Sequence, residues 1–142
     1  MAQQEQVAPP VPIPDALTQF FWDGVSEHKL MILRCQQCGY YIHWPRPVCR
    51  RCLSVELAPE QMSGRGTLYS WTIATQAFQP WFADRLPYTV AVIALDEQPG
   101  LHLVSNVVDC TEESLRIDMP VELRFDELTP GFTLPMFRPV ET

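Results

Sequence analysis

The chain has no apolar run of 18 residues, so nothing in it reads as a membrane-spanning helix. Its first residues lack the basic-then-apolar pattern of an export signal. The expected compartment is therefore the reducing cytoplasm, where disulfides are rare. Positive charge is also scarce: 10 Lys and Arg stand against 17 Asp and Glu, for a net charge of −7. A general nucleic-acid binder spreads positive field over its surface, so most of this surface repels phosphate backbones. No G-x-S-x-G elbow, Walker A loop, G-x-G-x-x-G fingerprint or H-E-x-x-H helix occurs. His28, His43 and His102 stand apart from any nucleophile, and the acid pairs Asp96-Glu97, Glu112-Glu113 and Asp126-Glu127 fall in expected turns. A nucleophile, a tuned base and an oxyanion site are never found together, which argues against catalysis by this chain.

Cysteine supplies the strongest positive signal. Cys35, Cys38, Cys49 and Cys52 form C-x2-C-x10-C-x2-C. Each C-x2-C pair places two thiolates on one metal from a tight turn, and two such knuckles complete a tetrahedral shell that suits Zn2+. Four thiolates leave no open position, so the ion is a structural staple. Two disulfides and a rubredoxin-like iron site are the alternatives to zinc. Cys110, the fifth cysteine, reads as a free and partly buried thiol. Charge is unevenly spread. Residues 29–65 carry six basic side chains (Lys29, Arg34, Arg46, Arg50, Arg51, Arg65) and two acids (Glu56, Glu60), so the cysteine module is basic in an acidic chain.

The 142 residues, 46% of them apolar, suit one compact domain with a small appended module. Residues 1–14 hold Pro9, Pro10, Pro12 and Pro14 and read as a flexible arm. Residues 15–29 read as an N-terminal helix capped by Asp15, with Leu17, Phe20, Phe21 and Val25 on one stripe and Gly24 as a weak point. That stripe packs either on its own domain or on a partner. Residues 30–60 form the ribbon, entered by a short strand over Leu30–Arg34. Between its knuckles stand Tyr40, Tyr41 and Trp44, too many rings for so small a core. Residues 61–142 read as all-β, with strands over 67–75, 88–95, 101–108, 121–125 and 132–137. In the first, simple alternation sets Tyr69, Trp71 and Ile73 opposite Leu68, Ser70 and Thr72; the second is apolar enough to be covered on both sides. Five short strands suggest a small closed barrel of the OB type. The loop between the first two carries Phe78, Trp81 and Phe82, either a lid or a docking patch, with docking favoured.

The order of parts resembles a known family. Phe20-Phe21-Trp22-Asp23-Gly24 leads to Arg34-Cys35-Gln36-Gln37-Cys38-Gly39, then Trp44-Pro45-Arg46-Pro47-Val48-Cys49-Arg50-Arg51-Cys52. Gly66-Thr67-Leu68-Tyr69-Ser70-Trp71-Thr72, Pro87-Tyr88-Thr89-Val90-Ala91 and Met119-Pro120-Val121 follow. Together these resemble domain-of-unknown-function family 35 (DUF35), zinc-ribbon and OB-fold proteins of acyl-CoA metabolism. The resemblance runs from residue 15 nearly to the end. It departs at Asp118, where the family usually has Gly.

The resemblance implies a non-catalytic subunit that stabilises a thiolase-superfamily enzyme acting on acyl-CoA thioesters. Thiolases, acyltransferases, hydroxymethylglutaryl-CoA synthase and the lipid-transfer-protein-like aldolases of steroid side-chain degradation are such partners, and MaoC-like enoyl-CoA hydratases are related ones. By analogy with the dimeric partners, a two-plus-two complex is expected. On this reading Arg46, Arg50 and Arg51 face CoA phosphates, because the planar guanidinium fork matches phosphate oxygens. Phe20, Phe21, Trp22, Tyr41, Trp44, Phe78, Trp81 and Phe82 are then the candidate interface rings. Two other readings compete: a single-stranded nucleic-acid binder, opposed by the acidic barrel, and an independent acyl-CoA hydrolase or transferase, opposed by the missing catalytic set.

Overall fold

The computed structural model describes residues 7–141. Part of the expected arm, residues 1–6, lies outside the described residues; residues 7–14 have no regular secondary structure. One helix, α1 (Gln19–Ser26), precedes eight strands: β1 (Met31–Cys35), β2 (Tyr41–Ile42), β3 (Leu57–Gln61), β4 (Arg65–Ala74), β5 (Tyr88–Leu95), β6 (His102–Ser105), β7 (Pro120–Thr129) and β8 (Phe132–Pro139). The protein is mainly β, with the helix, the ribbon and the five-stranded OB-type barrel that the sequence implies. No helix among the described residues is long and apolar enough to cross a membrane.

The helix starts four residues later than the sequence reading placed it. Asp15 does act as a local cap, but of the turn ahead of α1: its Oδ1 accepts the backbone N–H groups of Leu17 (3.0 Å) and Thr18 (2.9 Å). That turn swings Leu17 into solvent, off the apolar stripe. Phe21 and Val25 face inward one turn apart, and Gly24 between them is buried. A Cβ on Gly24 would sit 2.5 Å from Met31 Cγ and 3.0 Å from the Lys29 carbonyl oxygen. This glycine is thus the point of close approach between α1 and β1, and its low helix propensity is the cost of that approach.

The ribbon is a three-stranded antiparallel sheet in the order β2-β1-β3. The barrel sheet runs β6-β5-β4-β7-β8. It closes where Val107 and Phe137 form a parallel bridge, with Phe137 N–H donating to the Asn106 carbonyl (2.9 Å) and Val108 N–H to the Phe137 carbonyl (2.8 Å). Closure removes the sheet edge that would otherwise invite pairing with another chain. Leu68, Ile93, Leu103, Val121 and Phe137 fill the interior.

Two strand expectations need correction. A bulge between Leu68 and Ser70 inserts an extra residue into β4. Alternation therefore breaks: Leu68 and then Trp71 and Ile73 all turn to the core, while Tyr69 stands outside against His102, centroids 4.4 Å apart. β5 is not covered on both sides. Ala91, Ile93 and Leu95 are buried, and the alternate residues Val90, Val92 and Ala94 are half-buried on the outer face.

Helix, ribbon and barrel share one interior. Phe21, Val25, Leu30, Ile32 and Tyr41 belong to the same buried cluster as the barrel residues. Phe20 packs against both this cluster and the smaller ribbon cluster of Leu33, Cys35, Ile42 and Cys49. Trp22 reaches Phe132 on β8 (6.1 Å between centroids), and His28 stacks on Phe125 of β7 at 5.0 Å.

Candidate metal centre and docking surface

Both knuckles follow one backbone rule. In the first, Gly39 N–H donates to the Cys35 carbonyl (3.0 Å); in the second, Leu53 N–H donates to the Cys49 carbonyl (2.9 Å). Each turn closes on a residue in the left-handed region, Gly39 at φ 80° and Leu53 at φ 64°. Glycine takes that conformation freely, whereas leucine pays a steric penalty of about 1 kcal/mol. The first knuckle is further held by Arg34, whose Nε donates to the Gly39 carbonyl (2.9 Å) while Nη1 pairs with Glu60 (2.9 Å). The part-exposed Arg34 charge is thus held by a carboxylate and by the Tyr41 ring, 4.5 Å from its Cζ.

These turns bring Cys35, Cys38, Cys49 and Cys52 together, all four sulfurs within 4.8 Å of one another. Cys35 Sγ lies 3.5 Å from Cys52 Sγ, and Cys38 Sγ lies 3.7 Å from Cys49 Sγ. A tetrahedral ZnS4 unit with bonds of about 2.3 Å requires sulfur separations near 3.8 Å, so the shell fits the ion. Disulfide bonding needs about 2.05 Å and is not what this geometry presents. Electrostatics agree. Backbone N–H groups of Cys38 and Gln37 help bring the Cys35 thiol down to about 6. At Cys52 a backbone hydrogen bond from Ser54 favours the thiolate, yet burial and the neighbouring sulfurs push that thiol up to about 12. Four thiolates cannot share so small a volume unless a cation sits among them. Zinc bound there supplies the charge that lets all four ionise, and with four sulfur ligands it serves as structure.

The candidate interface rings divide into four groups. Phe21 (3% exposed) and Tyr41 (9%) are interior residues and offer no surface to a partner. They were read as interface rings because sequence alone does not show that α1 and β2 lie on the barrel. Phe20 and Trp22 are half-buried at the helix–barrel seam. Trp44 (54% exposed) and Phe78 (86%) stand in solvent. Trp81 and Phe82 sit in a 3-10 turn, Pro80–Phe82, edge to face at 5.0 Å, and Arg85 Cζ lies 3.6 Å from the Trp81 ring.

Arg46, Arg50 and Arg51 are exposed and make no ion pair among the described residues. Arg50 donates to the Tyr40 hydroxyl from Nε (3.1 Å) and Nη2 (2.6 Å), and both Arg50 and Arg51 lie over the Tyr40 ring, at 5.4 and 5.8 Å. Tyr40 is therefore the platform that orients two cations, a role its sequence position did not announce. Sequence reading also passed over Val48, Leu53 and Val55, all exposed around the second knuckle. Leu53, at 75% exposure and positive φ, is both strained and bare.

A metal-stapled ribbon, preceded by a helix and running directly into an OB barrel, defines a zinc-ribbon and OB-fold protein. Two family models match it: "ChsH2, rubredoxin-like zinc ribbon domain" over residues 22–58 and "ChsH2, C-terminal OB-fold domain" over residues 59–126. The chain belongs to the DUF35 family, in its ChsH2-like form. A "DUF35 domain-containing scaffold protein" of Methanocaldococcus jannaschii is 31% identical over 73% of each chain. A "Probable enoyl-CoA hydratase alpha subunit" of Thermomonospora curvata is 34% identical over 96% of this chain, which spans only 42% of that relative's length. The "3-oxo-4,17-pregnadiene-20-carboxyl-CoA hydratase alpha subunit" of Mycobacterium tuberculosis is 30% identical over 87% of this chain and 38% of its own. Among solved structures, a chain described as "Ltp2-ChsH2(DUF35) aldolase" superposes with a TM-score of 0.83 at 34% identity, covering 91% of this chain and 98% of that one. Asp118, which departs from the usual family glycine, takes φ 62° and so keeps the turn.

Proposed function

We propose that this chain is a non-catalytic accessory subunit that docks on and stabilises a thiolase-superfamily enzyme acting on acyl-CoA thioesters, an aldolase of the lipid-transfer-protein-like type foremost. The observation that carries the reading is the near-complete superposition, at 34% identity, on a chain described as part of an Ltp2-ChsH2(DUF35) aldolase. Relatives named as scaffold proteins and as hydratase alpha subunits support the same role, with thiolases, acyltransferases and MaoC-like hydratases as further partners. The metal site supports it chemically, since a closed four-sulfur shell has no place for substrate. The docking surface begins at the second knuckle, where Trp44, Val48, Leu53 and Val55 are exposed beside the Tyr40-braced arginines. Backbone strain held at a bare leucine costs the lone chain stability, which supports a role for Leu53 outside its own fold. Arg46, Arg50 and Arg51 then meet either partner carboxylates or the phosphates of CoA at the seam. Nucleic-acid binding is the weaker reading, because the chain carries a net charge of −7.

The test is co-expression with thiolase-superfamily enzymes and lipid-transfer-protein-like aldolases from the same genome. Co-elution in a complex, with thioester turnover by the enzyme and none by the lone chain, is expected. The pair Leu53→Asp and Val55→Asp should abolish co-elution while leaving the melting temperature of the lone chain intact. Full turnover by the purified lone chain, or no association with any such enzyme, refutes the proposal.

A further inference from the structure

We propose that the mouth of the barrel is a binding site for an uncharged, largely apolar small molecule, roofed by the chain's own proline arm. A cavity of about 620 Å3 opens there. Small-molecule sites commonly span ~300–1,000 Å3, and this one has room for roughly twenty waters at ~30 Å3 each. Its floor is aliphatic, formed by Ile73, Leu128, Leu134 and Met136. One wall is aromatic: Phe82 stacks on Tyr88 at 5.1 Å and meets Trp81 edge to face. Pro9 and Pro10 line the opposite side, with Pro9 half-buried. The proline arm and the Pro80–Phe82 turn both contribute to the lining.

Charge selects the ligand. Asp109, Glu112 and Asp126 line the cavity, and Arg85 is the one cation among its lining residues. Arg85 is already engaged, its guanidinium over Trp81 and its Nη1 donating to the Trp81 carbonyl (2.7 Å). Arg124 is held between Asp109 and Asp126. The Asn106 amide donates to the Thr89 carbonyl (2.6 Å). Among the described residues no cation in the lining stands free for a phosphate or carboxylate, and Glu112 adds an acid to it. Waters resting on the aliphatic floor lack partners, so an apolar body displaces them favourably. The site is separate from the knuckle surface, and the inference stands whether or not a partner enzyme is found.

The probe is N-phenyl-1-naphthylamine, a neutral dye that accepts energy from tryptophan, titrated into the full zinc-loaded chain. Saturable binding at one dye per chain is expected. Leu134→Arg should weaken it by at least about tenfold, because burying a dye against a charge is unfavourable. Leu134 faces Asp126 across the β7–β8 ladder, so the new arginine has a partner and the barrel should still fold. Val104→Thr, on the exposed outer face, should bind as the parent does. Deleting residues 1–14 should weaken binding several-fold. Decanol should displace the dye, and decanoate and free CoA should not. Non-saturable binding, or parent-like affinity in a Leu134→Arg chain of unchanged melting temperature, overturns the site. Parent-like affinity without the arm overturns the roof, and displacement by decanoate equal to that by decanol overturns the charge argument.

Discussion

Gln98 holds the ribbon to the barrel. It lies in the turn between β5 and β6, and its side chain clasps the main chain of one β2 residue: Oε1 accepts Tyr41 N–H at 2.8 Å, and Nε2 donates to the Tyr41 carbonyl at 3.1 Å. Gln98→Ala removes both bonds and strands the Tyr41 amide in a partly buried position. Two bonds at about 0.5–1.5 kcal/mol each, with a penalty for the orphaned donor, place the loss at about 2–3 kcal/mol. For a chain of this size that corresponds to a fall in melting temperature of roughly 6–10 °C. Gln98→Leu, which keeps the volume, should fall as far as the alanine variant. Gln98→Glu keeps an acceptor for Tyr41 N–H but turns a second oxygen on the Tyr41 carbonyl, so it should fall at least half as far. Urea unfolding gives the free energies, and the rate of zinc transfer to a chromogenic chelator reports whether the ribbon has loosened. A Gln98→Ala chain within about 0.5 kcal/mol of the parent, the ordinary range for neutral surface changes, refutes the clamp.

Two further outcomes follow from the same structure. Metal analysis should give one zinc per chain, and a strong chelator should lower the melting temperature by roughly 10 °C or more, because structural zinc contributes its binding energy to folding; identical melting curves with and without chelator would sink this. Burial between Phe21 and Trp44 pushes His43 down to about 4 and leaves both ring nitrogens without partners. Its folded value lies below the unfolded ~6.5, so the unfolded chain binds the extra proton. Stability from this residue is complete above about pH 6.5 and drains away as pH falls toward 4, by up to about 3 kcal/mol. His43→Phe should flatten the stability profile over that interval relative to the parent, and parallel profiles would refute the assignment.

What the sequence disclosed follows from how local each feature is. Cysteine spacing encodes a knuckle within four residues, so the metal site was legible in full. Strand positions were legible because apolar runs and turn residues are local too. The bulge at Leu68/Ser70 was not, since alternation presumes an uninterrupted ladder and the extra residue is set by the partner strand. Phe21 and Tyr41 read from sequence as interface rings because their burial comes from barrel residues far along the chain. Gln98 was silent for the same reason: its partner lies 57 residues away. Gly24 was read as a weakness, and only the approach of Met31 shows it to be required.

The division of labour follows from the two sides of the ribbon. Ile32 and Tyr41 join the barrel core, but the knuckle side has just four buried residues, two of them zinc ligands, which is too little apolar burial to hold both knuckles without a metal. The barrel, closed at Val107 and Phe137, needs no such staple. With the ion filling a structural need, the remaining unusual features are surfaces. At the second knuckle a leucine stays bare and backbone-strained beside two arginines aligned on Tyr40, although a glycine would relieve the strain at no loss of burial. A chain selected for stability alone gains nothing from Leu53; a chain that must seat an apolar anchor in another protein does. If Leu53→Gly stabilises the isolated chain yet weakens its complex, both halves of that reasoning hold. If it stabilises the chain and the complex equally, the knuckle is not the docking face.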